Sequence, residues 1–123
     1  MNRPHKNLDV WKESVALATE IYKITSNFPK SEIHGIVSQM RRAAVSVPSN
    51  IAEGAARNSD KEFAQFLNIA GGSLSELDTQ VEISFNLDYI GNEQRNGIDQ
   101  RIGTISAKLA GLITNIRKRI SAQ

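Results

Sequence analysis

The stretch that decides the fold is "IHGIVSQMRRAAVSVPSNIAEGAAR", residues 33–57, in which apolar side chains recur at steps of four and three. The repeating positions are Ile33, Val37, Met40, Ala44, Val47, Ile51 and Ala55. This spacing gives a helix one continuous apolar seam, the kind that bundled helices bury against each other. Pro48 lies inside the seam, where a proline removes a backbone donor and crowds the carbonyl of Ala44. Because the seam continues on both sides of Pro48, we predict one helix kinked at the proline.

The rest of the chain shows the same helical period, and no segment shows the alternation typical of a strand. Short links between consecutive helices favour antiparallel neighbours. The predicted fold class is therefore all-α, an antiparallel up-down-up-down four-helix bundle formed as a single domain by residues 1–123. Its four helices are predicted at about residues 9–26, 31–57, 60–90 and 93–120.

Several local signals refine these helices. Ser31 is predicted to cap the second helix, and Ser59 with Glu62 to form a capping box on the third. Gly91 is expected to end the third helix in a left-handed conformation. In the first helix the apolar spacing predicts that Val15 and Tyr22 face the core.

Composition limits the class of protein. A chain of 123 residues that is 40% hydrophobic and 23% charged is ordinary for one globular domain. It has no cysteine, which excludes disulfides, thiolate metal sites and cysteine nucleophiles. The N-terminus lacks the apolar run of a signal peptide, and no segment has the ~18 consecutive apolar residues of a membrane span. We therefore expect a cytoplasmic protein without a membrane partner.

Catalytic and metal-binding patterns are missing from the sequence. Metal sites in four-helix bundles use Glu-x-x-His motifs, whereas His5 and His34 are the only histidines and Glu32 stands two residues before His34. No serine lies in a nucleophile-elbow motif. We expect no catalytic residue, no metal, no cofactor and no enzymatic activity.

A polar stripe runs opposite the apolar seam of the second helix. Its members, at steps of three and four, are Gln39, Arg42, Ser46, Asn50, Glu53 and Arg57. One interpretation is a set of ordinary surface pairs between successive helical turns. The interpretation we favour over this and over a catalytic role is a partly buried network that fixes helix register or subunit contacts. The residues predicted to be bonded within the bundle or across a subunit boundary are Ser46, Asn50, Glu53 and Arg57.

Small residues mark one face of the third helix. Gly71 and Gly72 lie inside the helical pattern, where each glycine costs about 1 kcal/mol relative to alanine. Other small or short side chains recur on successive turns of the same face: Ala64, Asn68, Ser75 and Thr79. We expect another helix to approach this face at short range.

Charge is distributed unevenly along a chain of net charge +2. Residues 57–90 contain six acidic and two basic side chains, whereas residues 91–123 contain six basic and two acidic ones. Either these segments neutralise each other by packing side by side, or the basic end binds a polyanion. The candidate nucleic-acid-binding residues are Arg101, Lys108, Arg117, Lys118 and Arg119, followed by Arg41, Arg42 and Arg57.

Two long motifs make the sequence resemble a known family. The stretch "QMRRAAVSVPSNIAEGAAR" is followed by S-x-K-E-F-x-Q-F-L-x-I-A-x-G-S-L-x-E-L-x-T-Q, and "LDVWKESVAL" and "NFPKSEIHGIVSQM" precede it. Together, over about residues 8–90, they resemble the four-helix bundle protein family, also called the 23S ribosomal RNA intervening-sequence protein family. The resemblance implies an antiparallel four-helix bundle that assembles as a ring-like homo-oligomer, typically a pentamer.

The resemblance also bears on function. Members were named because their reading frames lie in sequences inserted in bacterial 23S ribosomal RNA genes, and related bundle proteins are basic accessory subunits that bind a reverse transcriptase and nucleic acid. The resemblance therefore implies a homo-oligomer that binds RNA, DNA or a nucleic-acid-bound protein as an accessory or scaffold subunit. The alternative is a protein-interaction adaptor that binds no nucleic acid.

Overall fold

The structure, a computed structural model, describes residues 3–122, and this part of the chain contains four α-helices and no strand. The helices are α1 (Asp9–Thr25), α2 (Ile36–Ala55), α3 (Asp60–Asn86) and α4 (Asn92–Ser121). Short 3-10 turns at Pro4–Asn7 and Lys30–Glu32 precede α1 and α2. Each helix packs on the next one, and α4 packs back on α1, so the four helices surround one core. The all-helical four-helix bundle is confirmed.

Side-chain contacts give the register between neighbouring helices. The Ser84 hydroxyl donates to the Met40 sulfur at 3.4 Å, and the Ser46 and Ser73 hydroxyls lie 2.8 Å apart. Residue numbers therefore fall along α3 as they rise along α2, as expected for antiparallel helices.

The core is built from the predicted seam of α2. Five seam residues are fully buried: Val37, Met40, Ala44, Val47 and Ile51. Burying a side chain of the size of valine or isoleucine contributes about 1.5–3 kcal/mol, so this seam is a main source of bundle stability. Ile33 is exposed because it lies in the turn before α2 and not in the helix.

Pro48 is buried inside a continuous α2. The helix assignment runs from Ile36 to Ala55 without a break, so the expectation of one helix and not two is confirmed. The kink itself stays a prediction.

Two helix ends differ from the sequence-based expectation, the start of α2 and the end of α3. Ser31 does not cap α2, because Gly35 at φ −105° and ψ −118° is not helical and α2 begins only after it. Gly91 does not end α3 in a left-handed conformation. Asp88 takes that role at φ 62°, and Gly91 is extended and precedes α4. The capping of α3 by Ser59 is confirmed, with the Glu62 amide donating to its hydroxyl at 3.1 Å.

Asp88 completes a hydrogen-bonded end of α3. The Asp88 amide donates to the Phe85 carbonyl at 3.0 Å and the Tyr89 amide to the Ser84 carbonyl at 2.9 Å. This is the Schellman pattern, in which the residue after the helix cap is left-handed. Aspartate is one of the few residues other than glycine that tolerate this conformation. Asp88 therefore supplies the left-handed residue that the sequence predicts at Gly91.

The close approach between helices occurs at Gly54 and not at Gly71 and Gly72. A Cβ on Gly54 would lie 2.7 Å from Cβ of Phe66 and 3.0 Å from Cδ1 of Phe63. Within the described residues, nothing lies within 4 Å of a Cβ built on Gly71 or Gly72. The expected close contact at these two glycines was therefore wrong for the single chain, because Gly71 and Gly72 do not face a neighbouring helix at short range.

Candidate nucleic-acid interface

Half of the eight cations proposed from the sequence form ion pairs in the structure. Three of these pairs join α4 to other helices: Arg101 to Glu20 at 2.7 Å, Lys108 to Glu13 at 3.3 Å, and Arg119 to Asp60 at 3.0 Å. The fourth, Arg57 to Glu53 at 3.7 Å, joins the last turn of α2 to a residue two positions after its end. The acidic partners of α4 therefore come from α1 as well as from α3. Partly exposed pairs of this kind contribute about 0–1 kcal/mol each, and they reduce the charge that is available to a ligand.

The other four cations have no carboxylate partner within residues 3–122. Arg117 and Lys118 are exposed in the last turns of α4, where basic side chains also complement the helix dipole. Arg41 and Arg42 lie in the first half of α2, with Arg42 exposed and Arg41 half-buried. The structure thus separates the unpaired cations into two regions at different places in the bundle.

Arg41 is held in a fixed position by neutral groups of α1. Its Nε donates to the Thr25 hydroxyl at 3.0 Å, and its Nη2 donates to the Tyr22 carbonyl at 3.3 Å. The guanidinium carbon also lies 4.7 Å from the centre of the Tyr22 ring. The Thr25 hydroxyl donates in turn to the Ile21 carbonyl at 2.7 Å, which leaves its oxygen to accept from Arg41. Arg41 is therefore ordered without being neutralised.

Two surface hollows meet at Arg41. One, of about 370 Å³, is lined by Tyr22, His34 and Arg42 among others, and we call it the Tyr22 hollow. The other, of about 320 Å³, is lined by Phe28 and Lys30 among others, and we call it the Phe28 hollow. Both hollows are also lined by Ile33, Val37 and Arg41. Of the residues that the structure describes, no acidic one lines either hollow. We refer to the pair as the Arg41 double hollow.

The acid nearest to this region in sequence is bonded elsewhere. Glu32 precedes His34 by two residues, yet its Oε2 accepts a hydrogen bond of 2.8 Å from the Tyr89 hydroxyl. This hydrogen bond raises the pKa of Tyr89 above 10.0, and burial and the negative charge of Glu32 add to the effect. This hydrogen bond links the segment before α2 to the segment after α3, and it occupies one carboxylate oxygen of Glu32.

The predicted polar network divides into two parts. The Asn50 side-chain amide donates to the Ser46 carbonyl at 2.8 Å and to the Ser46 hydroxyl at 2.9 Å, and the Ser46 hydroxyl lies 2.8 Å from that of Ser73. These three half-buried residues link α2 to α3. Glu53 and Arg57 are exposed, and their one salt bridge among the residues described is with each other, while the Arg57 guanidinium also lies 4.8 Å from the centre of the Phe66 ring on α3. Their bonding across a subunit boundary stays a prediction.

Sequence reasoning missed Tyr22 as part of this site. The apolar spacing placed Val15 and Tyr22 in the core, whereas both are exposed, with 45% of Tyr22 accessible. Of the apolar residues of α1, Val10, Leu17, Ala18 and Ile21 are buried as their spacing predicts, and the buried side is completed by Ser14 and Thr25. A serine or threonine in a helix can face the core when its hydroxyl donates to the carbonyl four residues back. Buried Ser14 and Thr25 both do so, and these two residues were the signal in the sequence for the true core side of α1.

The described residues contain neither a group of possible metal ligands nor a membrane-spanning helix. Within residues 3–122, no three side chains of histidine, aspartate or glutamate are grouped so that they could hold a metal ion. No helix in that range is long and apolar enough to cross a membrane.

Comparison with known proteins gives the family. The sequence pattern of the 23S rRNA-intervening sequence proteins matches residues 6–111. The chain belongs to this family. Its structure is similar to the crystal structure of a protein of unknown function from the S23 ribosomal protein family of Bacteroides thetaiotaomicron. The TM-score is 0.76 at 27% sequence identity, and the alignment covers 85% of this chain and 97% of the other. No protein of curated function matches the chain.

The family match also separates the two groups of unpaired cations. In this 23S rRNA-intervening sequence protein, the Arg41 double hollow lies within the matched range, whereas Arg117 and Lys118 lie beyond it. The double hollow is therefore part of the region that carries the family pattern.

Proposed function

We propose that this family member is a cytoplasmic, homo-oligomeric and non-enzymatic bundle that binds nucleic acid, alone or in a ribonucleoprotein, as an accessory or scaffold subunit. The observation that carries the proposal is the Arg41 double hollow, in which an ordered arginine has no carboxylate partner among residues 3–122. Arg42, Lys30 and His34 add basic groups to the same surface. A phosphate backbone is the ligand that complements such a surface.

The order of Arg41 strengthens this proposal. Immobilising a long side chain on binding costs about 0.5–1.5 kcal/mol. Arg41 has already been immobilised by Thr25 and Tyr22, so a phosphate that binds it avoids most of this cost. The guanidinium carries five N–H donors, of which the two bonds to α1 use two. Three donors remain for phosphate oxygens, which guanidinium groups bind with paired hydrogen bonds.

Assembly into a homo-oligomer has its own support. Ile69 and Ile83 lie two heptads apart on α3 and are 51% and 45% exposed, and Leu87 is also exposed on the next turn. Their shared helix face is where a second copy could bury them, and a contiguous exposed apolar patch is what marks an interface between proteins. Five copies, the number that the family resemblance implies, would carry a net charge of five times +2. Each ligand strand would then meet several copies of the double hollow.

The homo-oligomer is tested by the mass in solution, measured by light scattering on the purified protein. We expect a multimer, and we expect Ile69→Lys to lower the mass because it places a charge in an apolar contact. A wild-type chain that is monomeric at all concentrations would refute the assembly.

Nucleic-acid binding is tested with three double variants that each remove two charges. The variants are Arg41→Gln with Arg42→Gln, Arg117→Gln with Lys118→Gln, and Arg101→Gln with Lys108→Gln. Filter binding to RNA and to DNA is measured at several salt concentrations. We expect the first variant to lose the most affinity and to reduce the salt slope by about 1.4–1.8, since each phosphate contact contributes about 0.7–0.9. The third should lose the least, because Arg101 and Lys108 have carboxylate partners.

The outcomes separate nucleic-acid binding from the adaptor alternative. The ion pairs of Arg101, Lys108 and Arg119 favour an adaptor, because these cations balance acids of the same chain. If the wild-type protein binds neither RNA nor DNA at low salt, nucleic-acid binding is refuted. Equal losses of affinity in all three variants would show that binding depends on net charge alone. The double hollow would then not be the binding site.

A further inference from the structure

The Arg41 double hollow has a lining that a phosphate alone does not require. Tyr22 and Ile33 are exposed there, and Phe28 lines the second hollow. Each hollow is as large as the smaller ligand sites of proteins, which span about 300–1,000 Å³. A lining that mixes apolar, aromatic and polar side chains next to an anchored cation fits a ligand that has both a flat ring and a phosphate.

We propose that the Arg41 double hollow binds single-stranded nucleic acid, with a phosphate on Arg41 and an adjacent unpaired base in the Tyr22 hollow. This inference rests on the proposed function and specifies its ligand. Single strands present unstacked bases that can lie against aromatic rings or guanidinium planes, whereas a duplex keeps the faces of its bases covered. The site therefore distinguishes single-stranded from double-stranded nucleic acid by the presence of an unpaired base.

Polar groups in the hollows complete the fit. The hydroxyl of Ser38 lines the Tyr22 hollow together with His34, and that of Ser26 lines the Phe28 hollow. Hydroxyl and imidazole groups donate and accept hydrogen bonds, so they can pair with the edge of any base. The lining gives stacking and charge without a fixed code for one base, which predicts weak sequence preference.

The matched control for Arg41 is Arg95. The guanidinium of Arg95 lies 4.5 Å from the centre of the Phe85 ring, much as that of Arg41 lies over Tyr22, but Arg95 pairs with Glu82 at 2.9 Å. Arg95→Gln therefore removes the same charge and a similar stacked contact from a cation that already has a partner.

The experiment measures fluorescence anisotropy of a labelled RNA single strand and of a duplex of the same sequence and length, at low salt. We expect Tyr22→Leu to weaken single-strand binding by about 5- to 150-fold, the effect of losing one base–aromatic stack. Tyr22→Phe keeps the ring and should bind as the wild type does. Arg41→Gln should weaken binding, and Arg95→Gln should leave it within about twofold of wild type, in line with the small contribution of a surface pair.

A second measurement maps the contact on the unaltered protein. A single strand that contains 4-thiouridine is crosslinked to the wild-type chain with ultraviolet light, and the modified peptide is identified by mass spectrometry. Crosslinks within residues 22–42 support the inference even if a variant does not fold, and crosslinks confined to residues 115–122 overturn it.

The failures of the inference and of the proposed function are distinct. Equal binding of single strand and duplex, with Tyr22→Leu unchanged, overturns the inference and leaves nucleic-acid binding in place. An Arg41→Gln variant that binds as tightly as Arg95→Gln also overturns it. No binding of either RNA by the wild type refutes the proposed function itself.

Discussion

Replacing Gly54 by alanine tests the closest contact between two helices of the bundle. The added Cβ would lie 2.7 Å from Cβ of Phe66, whereas carbon atoms pack best at about 3.5–4.0 Å. Relief of the overlap requires α2 and α3 to separate or Phe63 and Phe66 to move. Overpacking of this kind costs about 1–3 kcal/mol. Alanine also gains about 1 kcal/mol of helix propensity over glycine.

The control is Gly103→Ala, at an exposed position inside α4. Within the described residues nothing lies within 4 Å of a Cβ at Gly103, so only the propensity gain of about 1 kcal/mol remains. Because this gain is common to both variants, the difference between them equals the packing cost of about 1–3 kcal/mol. In urea, with an m-value of about 2 kcal/mol/M, the unfolding midpoints should differ by about 0.5–1.5 M.

The measurement is urea unfolding followed by circular dichroism, at one protomer concentration for all variants because the proposed assembly would make stability depend on concentration. We expect Gly103→Ala to unfold above the wild type and Gly54→Ala to unfold below Gly103→Ala. If the two alanine variants unfold at the same urea concentration, α2 and α3 are not in close contact at Gly54.

Three further predictions concern single contacts. Thr25→Val should weaken RNA binding about 2- to 12-fold in an anisotropy titration, because it removes one hydrogen bond to Arg41 that is worth about 0.5–1.5 kcal/mol. The salt slope should not change, because the number of phosphate contacts stays the same. Raising the pH above 10 should destabilise the protein, because Glu32 raises the pKa of Tyr89 in the folded state. The stabilisation is complete below the unfolded pKa and is lost as pH rises through the folded one, so Tyr89→Phe should flatten the pH dependence of urea unfolding. Asn50→Ala should lower the free energy of unfolding by about 1–2 kcal/mol, since the Asn50 amide makes two hydrogen bonds.

Each of these predictions has a control. A shallower salt slope in Thr25→Val would contradict the first prediction, because it would show that a phosphate contact is lost together with the hydroxyl. Tyr22→Phe removes the other tyrosine hydroxyl, and an equal flattening in that variant would contradict the role of Tyr89. Glu53→Gln alters an exposed residue of the same polar stripe, and we expect it to stay within about 0.5 kcal/mol of wild type. A loss as large as that of Asn50→Ala would show that Glu53 contributes to stability as much as the half-buried Asn50 amide does.

The sequence was sufficient for the four helices because their apolar periods are long and regular. Val37, Met40 and Ile51 are buried as the seam of α2 predicts, and Ser59 caps α3. The helix ends were less predictable, since Gly91 and Asp88 both suit a turn and the choice depends on where the carbonyls of α3 find donors. Local sequence does not contain that information.

The candidate site was less predictable than the fold, because whether a cation is available to a ligand depends on its neighbours in the fold and not on its residue type. The eight cations proposed from the sequence are alike as residues, but the partners of Arg101 and Lys108 come from α1, about 80 to 95 residues earlier in the chain. Tyr22 was assigned to the core because its spacing fits the apolar period, although a tyrosine at the edge of that period can also cover the surface. The double hollow depends on the exposure of Tyr22 and on the packing of α1 against the start of α2, which brings Tyr22 and Thr25 to Arg41.

The net charge of +2 does not argue against a polyanion ligand. It counts paired and unpaired cations alike, whereas a phosphate responds to the local potential. Five ion pairs formed by described residues neutralise the sides of the bundle, and three of them tie α4 to its neighbours at the cations proposed from the sequence. Among residues 3–122, Arg41 and Arg117 have no carboxylate partner, so their positive charges are not neutralised by this part of the chain. A nearly neutral chain can therefore present a locally basic surface, and the proposed homo-oligomer would repeat that surface in every subunit.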